Sequence, residues 1–298
     1  MTKILIFGAH GQLARSLAAL DTDFELVHTT RPETDLCKLE TIERAIGTHN
    51  PQFVINAAAY TQVDKAETDE DMAFAVNALG TGYLADQCAK NDIPLLHVST
   101  DYVYDGSKAT PYTEADPTGP IGVYGKSKLS GENLVRAAGG KHIILRTSWV
   151  FSPFGGNFVK TMLNLAESRD QLSVVSDQLG CPTYAPHLAD GMIQIVQQLV
   201  DNPQLKPAWG TYCMAGNGEA SWYQFAQEIF KTSKNLGGPS ANVEPVASSA
   251  FPTAAKRPSN SRMDCRKLEQ QFGVRLPDWH QGVEACVTAL LAKPNVVN

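Results

Sequence analysis

The sequence contains no Cys-x-x-Cys pair: its six cysteines, Cys37, Cys88, Cys181, Cys213, Cys265 and Cys286, are scattered along the chain. No His/Cys grouping has zinc-ligand spacing either, so the pattern offers no metal site and the thiols read as reduced, as in a cytoplasmic protein. Long hydrophobic runs are also missing. The first apolar run, Ile4 to Phe7, stops at Gly8, which is too short for a signal-peptide core or a membrane span. Positive charge is in deficit, with a formal net charge of -6. Such a chain sets up no attractive field for nucleic acid or anionic lipid, so local groups must hold any anionic ligand.

What is present suits a large α/β domain with a smaller appendage: 298 residues, 43% of them hydrophobic, can bury a sizeable core. Apolar, β-branched runs at 3–7, 25–29, 53–56, 95–99 and 143–147 alternate with stretches of helical period at 12–20, 39–48, 72–91 and 124–138. Continuous rather than alternating apolar strands imply burial on both faces, and β-α-β order requires parallel strands with right-handed crossovers. The expected fold is a doubly wound parallel sheet of Rossmann type over residues 1–150. Beyond residue 150 the pattern loosens, with recurrent Pro and Gly and helices expected near 186–200 and 221–231. Residues 151–298 are read mainly as a smaller substrate-binding lobe, with some segments returning to the first domain. The stretch 235–258, rich in Gly, Pro, Ser and Ala, reads as a loop over a cleft with one short strand at 243–246.

The segment Gly8-Ala9-His10-Gly11-Gln12-Leu13-Ala14 follows the first strand directly and opens the first helix. Gly8 permits a tight turn, Gly11 lets the backbone approach a pyrophosphate, and Ala14 allows close helix-strand packing. The bland alternative is an ordinary strand-helix turn; its position favours dinucleotide binding. At the end of the second strand, where NAD-preferring sites offer an acidic residue, stands His28-Thr29-Thr30-Arg31. Thr30 and Arg31 favour NADPH, with NADH as the lesser possibility, although Arg31 equally fits a solvated loop charge. Asp35 and Leu36 fall within reach of an adenine edge, or Asp35 caps the helix that follows.

Tyr124 and Lys128 stand four apart in a stretch of helical pattern and so share one face. The Tyr-x-x-x-Lys pattern is cheap, because Tyr104 and Lys108 repeat it. Context separates the copies: Tyr104 precedes the turn dipeptide Asp105-Gly106, whereas Tyr124 opens a proline-free helix at the carboxyl edge of the sheet. The chemistry explains the residue types. When hydride adds to a carbonyl carbon, the oxygen needs a proton at that moment. A phenol supplies it, and a nearby ammonium stabilises the phenolate and hydrogen-bonds the nicotinamide ribose. Thr100, closing the fourth strand in Ser99-Thr100-Asp101, is placed to share the carbonyl oxygen, or else simply holds a strand-end turn.

These motifs resemble the extended short-chain dehydrogenase/reductase superfamily. Five longer stretches, NAAAYTQVDKAE at 56–67, STDYVYDG at 99–106, RTSWVF at 146–151, DQLGCPT at 177–183 and RPSNSR at 257–262, resemble in particular the dTDP-4-dehydrorhamnose reductase family. The resemblance implies reduction of the ring ketone of a dTDP-linked 4-keto-6-deoxy sugar to give dTDP-L-rhamnose. Catalysis would rest on Tyr124, Lys128 and Thr100. Gly11, Gln12, Leu13, Asp35, Leu36, Ala58, Ala59 and Tyr60 would line the cofactor, and Val63, Asp101 and Trp149 would face the sugar nucleotide. Read from the residues alone, Trp149 also fits the core. Arg257 and Asn260 suit a clamp on the substrate diphosphate, or else Arg257 lies in solvent before a helix near Asp264. Some members of the family bind magnesium at a dimer interface through glutamates; the neighbourhoods at 15–16 and 184–189 hold none, which leaves monomer or homodimer open. The competing readings are a non-catalytic NADP-binding module, like the regulatory subunit of methionine adenosyltransferase, and another sugar-nucleotide reductase or epimerase.

Overall fold

The computed structural model describes residues 1–202 and 209–292; segments 203–208 and 293–298 of the expected lobe lie outside the described residues. Five strands fall where the apolar runs predict them: β1 (Lys3–Phe7), β2 (Glu25–Thr29), β3 (Phe53–Asn56), β4 (Leu95–Thr100) and β5 (His142–Thr147). With Gly210–Cys213 at the far edge they form one six-stranded sheet ordered β2, β1, β3, β4, β5, Gly210–Cys213, parallel throughout. Ile4, Leu5, Ile6, Val54, Ile55, Leu96, Ile143 and Ile144 are wholly buried, as strands covered on both faces must be. The doubly wound expectation is borne out. The direction of winding reverses between β1 and β3, and such a switch point opens a crevice at the carboxyl ends of the strands.

The crossover helices are α1 (Gln12–Ala18), α2 (Leu39–His49), α3 (Val63–Ala66), α4 (Glu70–Phe74), α5 (Thr81–Lys90) and α6 (Val123–Ala137). The single helix expected over 72–91 is instead α4 and α5 joined by a π-turn, Ala75–Gly80. A side chain on Gly80 would collide with the backbone of Leu36, 2.2 Å from its oxygen. The loop after β2 thus packs directly on the π-turn, a feature that recurs at functional sites.

Past residue 150 the chain builds a second core from Phe151, Val159, Phe225, Ile229 and Val283. Segments of this half return to the first. Helix Ala185–Asp201 packs on α1 and sends Leu188, Met192 and Ile195 into the core shared with Ile4, Ile6 and Leu17. The strand expected at 243–246 is Asn242–Val246, paired in parallel with Gln171–Val175. The loop that follows is pinned at two places. Asp177 accepts from the backbone N–H of Ser248 at 2.9 Å, and Asp64, in α3, accepts from Ala255 N–H at 3.0 Å.

Candidate active site

Helix α6 comes unusually close to its neighbours because it carries glycine on its inner face. A Cβ on Gly125 would lie 2.2 Å from the carbonyl oxygen of Tyr102, and one on Gly131 would lie 2.0 Å from that of Asn77. The close approach brings Tyr124, in the first turn of α6, against the short 3₁₀ turn Asp101–Val103 that follows β4. Thr100 Oγ1 accepts from Tyr102 N–H at 3.2 Å and donates to Asp101 Oδ1 at 2.9 Å. The rings of Tyr102 and Tyr124 meet edge to face at 5.6 Å.

The electrostatics follow from this burial. Removal from water pushes the Tyr124 phenol up to about 12, against the hydrogen bond with Thr100 that lowers it. The phenol is therefore protonated at neutral pH. Lys128 is 2% exposed, and its ammonium donates to the Val98 carbonyl at 2.7 Å. Burial pulls it down to about 8, opposed by the negative charge of Glu132. The sequence reading has Lys128 lowering the phenol; in the structure desolvation is the largest influence on Tyr124, and the ammonium is engaged with β4. Asp101 is pushed up to about 6 by burial, with Ser261 and Thr100 countering, and its Oδ2 is buried without a hydrogen-bond partner among the described residues.

The second Tyr-x-x-x-Lys copy is structural. Tyr104 is fully buried, donates to the Thr113 carbonyl at 3.0 Å and accepts from Arg146 at 2.8 Å. Lys108 turns to Asp116 at 2.6 Å.

The residues expected around a dinucleotide gather at the switch point. Gly8 has φ +95°, and a Cβ there would sit 2.7 Å from Ala58 N, so the glycine turn and the loop after β3 touch. Gly11 is exposed, and an added Cβ would meet only the Gly8 carbonyl oxygen, at 3.3 Å. It precedes α1, whose first turn has no side-chain cap and no acidic residue, an arrangement suited to an anion. Leu13 and Leu36 are buried in the core and so present backbone, not side chain. Gln12 reaches across the cleft: its Oε1 accepts from Ser152 Oγ and Asn157 Nδ2, both at 2.9 Å. Ala58 N–H donates to Asn56 Oδ1 at 3.1 Å, and Tyr60 N–H to Asn77 Oδ1 at 2.8 Å. Thr30 and exposed Arg31 follow β2. Asp35 accepts from the Cys37 N–H at 3.0 Å, three residues before the N-cap of α2, which is Lys38, so Asp35 holds a turn and not the helix cap.

The residues expected to face substrate are more dispersed. Val63 opens α3 beside Asp64. Trp149, just past β5, has φ +46°, a strained conformation for a bulky residue. Its indole lies parallel to that of Trp222 at 3.6 Å, and an added Cβ on Gly180 would fall 2.4 Å from it. Arg257 grips Asp64 through two nitrogens, at 3.1 and 2.7 Å, so it is held by a carboxylate and does not lie in free solvent. Asn260 is 6% exposed and spends its amide on the carbonyls of Lys108 and Thr110, at 2.6 and 3.0 Å. It ties down a loop in this structure.

Sequence reasoning passed over Asn77, Glu132, Asp64 and Trp222. Asn77 also donates to Ser127 Oγ at 3.0 Å, linking the loop after β3 to α6. The signal for Glu132 was available, since Tyr124, Lys128 and Glu132 continue the same spacing of four. Asp64 and Trp222 gave no local signal.

The profile of a family described as the RmlD substrate binding domain matches residues 1–292. A dTDP-4-dehydrorhamnose reductase of Sinorhizobium fredii is 43% identical over 290 residues, covering 97% of this chain and 98% of the relative. One from Escherichia coli K12 is 37% identical over 294 residues, covering 96% and 97%. Among solved structures, a dTDP-4-dehydrorhamnose reductase from Bacillus anthracis in complex with NADP superposes with a TM-score of 0.88 at 32% identity, over 97% of this chain and 100% of that one.

Proposed function

Because the chain belongs to the RmlD substrate binding domain family, we propose that it is an NADPH-dependent dTDP-4-dehydrorhamnose reductase that converts the ring ketone of dTDP-4-dehydro-L-rhamnose to the alcohol of dTDP-L-rhamnose. The observation that carries the reading is the contact of Tyr124, in the first turn of α6, with Thr100 at the carboxyl end of β4, with Lys128 one turn further along α6 bonded to Val98 of the same strand, together with relatives of that name over nearly the full length.

The residues at the switch point fit a dinucleotide. The missing side chain at Gly8 lets the glycine turn close on the backbone of Ala57 and Ala58, Gly11 leaves the backbone ahead of α1 uncovered, and the uncapped start of α1 suits a pyrophosphate. Gly8, Gly11, Gln12 and the backbone of Leu13 would hold the diphosphate, Thr30 and Arg31 the adenosine ribose phosphate, and Asp35 and Leu36 the adenine. Ala58, Ala59, Tyr60 and Lys128 would hold the nicotinamide half. When bound, NADPH supplies the hydride.

The chain's own part is to orient the ketone and protonate its oxygen. Tyr124 lies within hydrogen-bond reach of Thr100; a ketone oxygen seated between them would accept from Tyr124, and from Thr100 once its hydroxyl turns from Asp101 Oδ1, as charge builds on that oxygen during reduction. Tyr124, protonated at neutral pH, gives up its proton there, and the cation of Lys128 stabilises the phenolate left behind. Asp101, one of whose buried oxygens has no partner among the described residues, would accept from a sugar hydroxyl, Trp149 and Val63 would bound the sugar, and Arg257 would turn from Asp64 to the substrate diphosphate, with Asn260 holding its loop. Purified protein should oxidise NADPH when given the dTDP-linked 4-keto sugar, and NADH less well. No cofactor loss with that substrate would overturn the reading.

A further inference from the structure

We propose that Glu132 is a positioning residue for this reduction: it fastens the helix bearing Tyr124 and Lys128 to the strand ends bearing Thr100 and Thr147, and acts as the counter-charge of Lys128. The inference rests on the reading of Tyr124 and Lys128 given above. Glu132 stands four residues beyond Lys128 on α6 and is 0% exposed. Its Oε1 accepts from Ser99 Oγ at 2.6 Å and from Arg146 Nε at 2.9 Å. Its Oε2 accepts from Arg146 and from Arg136, each at 2.6 Å. One carboxylate thus joins α6 to the residue before Thr100 on β4 and to the residue before Thr147 on β5, two positions paired across the sheet. Arg146 carries the connection on to the Tyr104 hydroxyl at 2.8 Å, beyond the Asp101 turn.

Four charge-assisted hydrogen bonds on a fully buried carboxylate fix α6 against the strand ends to a degree that packing of apolar side chains alone does not. Burial would push the Glu132 carboxyl up, but the bonds from Arg146, Ser99 and Arg136 outweigh it and keep the group ionised. That charge in turn supports the Lys128 ammonium against the burial that pulls it down. Among the described residues, the groups that reach α6 from its neighbours are Glu67, which accepts from its first N–H at 2.9 Å, Asp101 and Tyr102 beside Tyr124, His97 on β4 and Arg146 on β5. His97 is held well below its usual range by burial and by Lys128, so it is neutral and does not replace Glu132 as a counter-charge.

The test is the pH profile of kcat for NADPH oxidation with the dTDP-linked 4-keto sugar. In the native enzyme activity falls on the alkaline side as Lys128 loses its proton. Glu132→Gln should move that alkaline limb to lower pH by roughly one unit, beyond any loss that is uniform with pH. Ser99→Ala, which removes a bond but no charge, should leave the limb where it is. Arg136→Gln, on an exposed position, removes the cation that competes for Glu132 and should move the limb upward; it carries the test if Glu132→Gln does not fold. A limb unmoved in Glu132→Gln, or in Arg136→Gln where only that variant folds, overturns the proposal and leaves Glu132 as a fold-stabilising ion pair. Native-like turnover of Tyr124→Phe would instead strike the reading of Tyr124 itself.

Discussion

The ammonium of Lys128 donates to the carbonyl oxygen of Val98 at 2.7 Å, so the cation one helical turn from Tyr124 is anchored on the strand that ends at Thr100. The hydrogen bond uses one of three ammonium hydrogens; on the proposed reading the other two would serve a ribose and the phenol. Lys128→Met should therefore lower kcat and raise the KM for NADPH together, which steady-state kinetics at pH 7 would separate from a pure loss of turnover. It also strands the Val98 carbonyl, at a cost of about 1–3 kcal/mol in urea unfolding.

Asp101 gives a pH dependence of stability. A carboxyl held near 6 instead of the ordinary 3.8 contributes stability that is complete below the unfolded value and lost as pH rises through 6. The charged form thus costs the protein about 3 kcal/mol at pH 8 relative to pH 3.5. Asp101→Asn should be more stable than the native protein at pH 8 by an amount of that order, and nearly equal to it at pH 4. Urea titrations at both pH values measure this, and a difference independent of pH would exclude Asp101 as its source.

Gly8→Ala tests the contact between the glycine turn and the loop after β3. With φ +95° and a Cβ 2.7 Å from Ala58 N, the substitution should cost about 1–3 kcal/mol of stability. It should also weaken NADPH binding measured by fluorescence titration.

Asp64 and Arg257 form a bidentate pair that is partly open to water, with side chains 48% and 23% exposed. Asp64→Ala should change global stability by less than about 1 kcal/mol. If Arg257 leaves Asp64 to hold the diphosphate, Asp64→Ala should lower the KM for the sugar nucleotide and Arg257→Ala should raise it, with kcat little affected. Equal KM values in all three proteins would remove Arg257 from the binding site.

Much of the architecture was legible because strands buried on both faces leave continuous apolar runs, as in Lys3–Phe7 and His142–Thr147. Gly210–Cys213 was not seen as a strand: four residues containing Gly and Thr at a sheet edge carry no such signal. The π-turn at Ala75–Gly80 was read as plain helix because its cause is long-range, the packing of Gly80 on Leu36. Local context was enough to separate Tyr124 from Tyr104, since one opens a helix and the other a turn. The partners of Arg257 and Asn260 lie 193 and about 150 residues away, and spacing in sequence says nothing about them.

Tyr124 is proposed as the proton donor in reduction of a dTDP-linked 4-keto sugar. The most direct measurement is NADPH oxidation with that substrate by the native protein and by Tyr124→Phe, with cofactor affinity determined in parallel. The expected result is turnover in the native protein, a fall of about a hundredfold to ten-thousandfold in kcat for the variant, and NADPH affinity within a few-fold. Undiminished kcat in Tyr124→Phe would contradict the account.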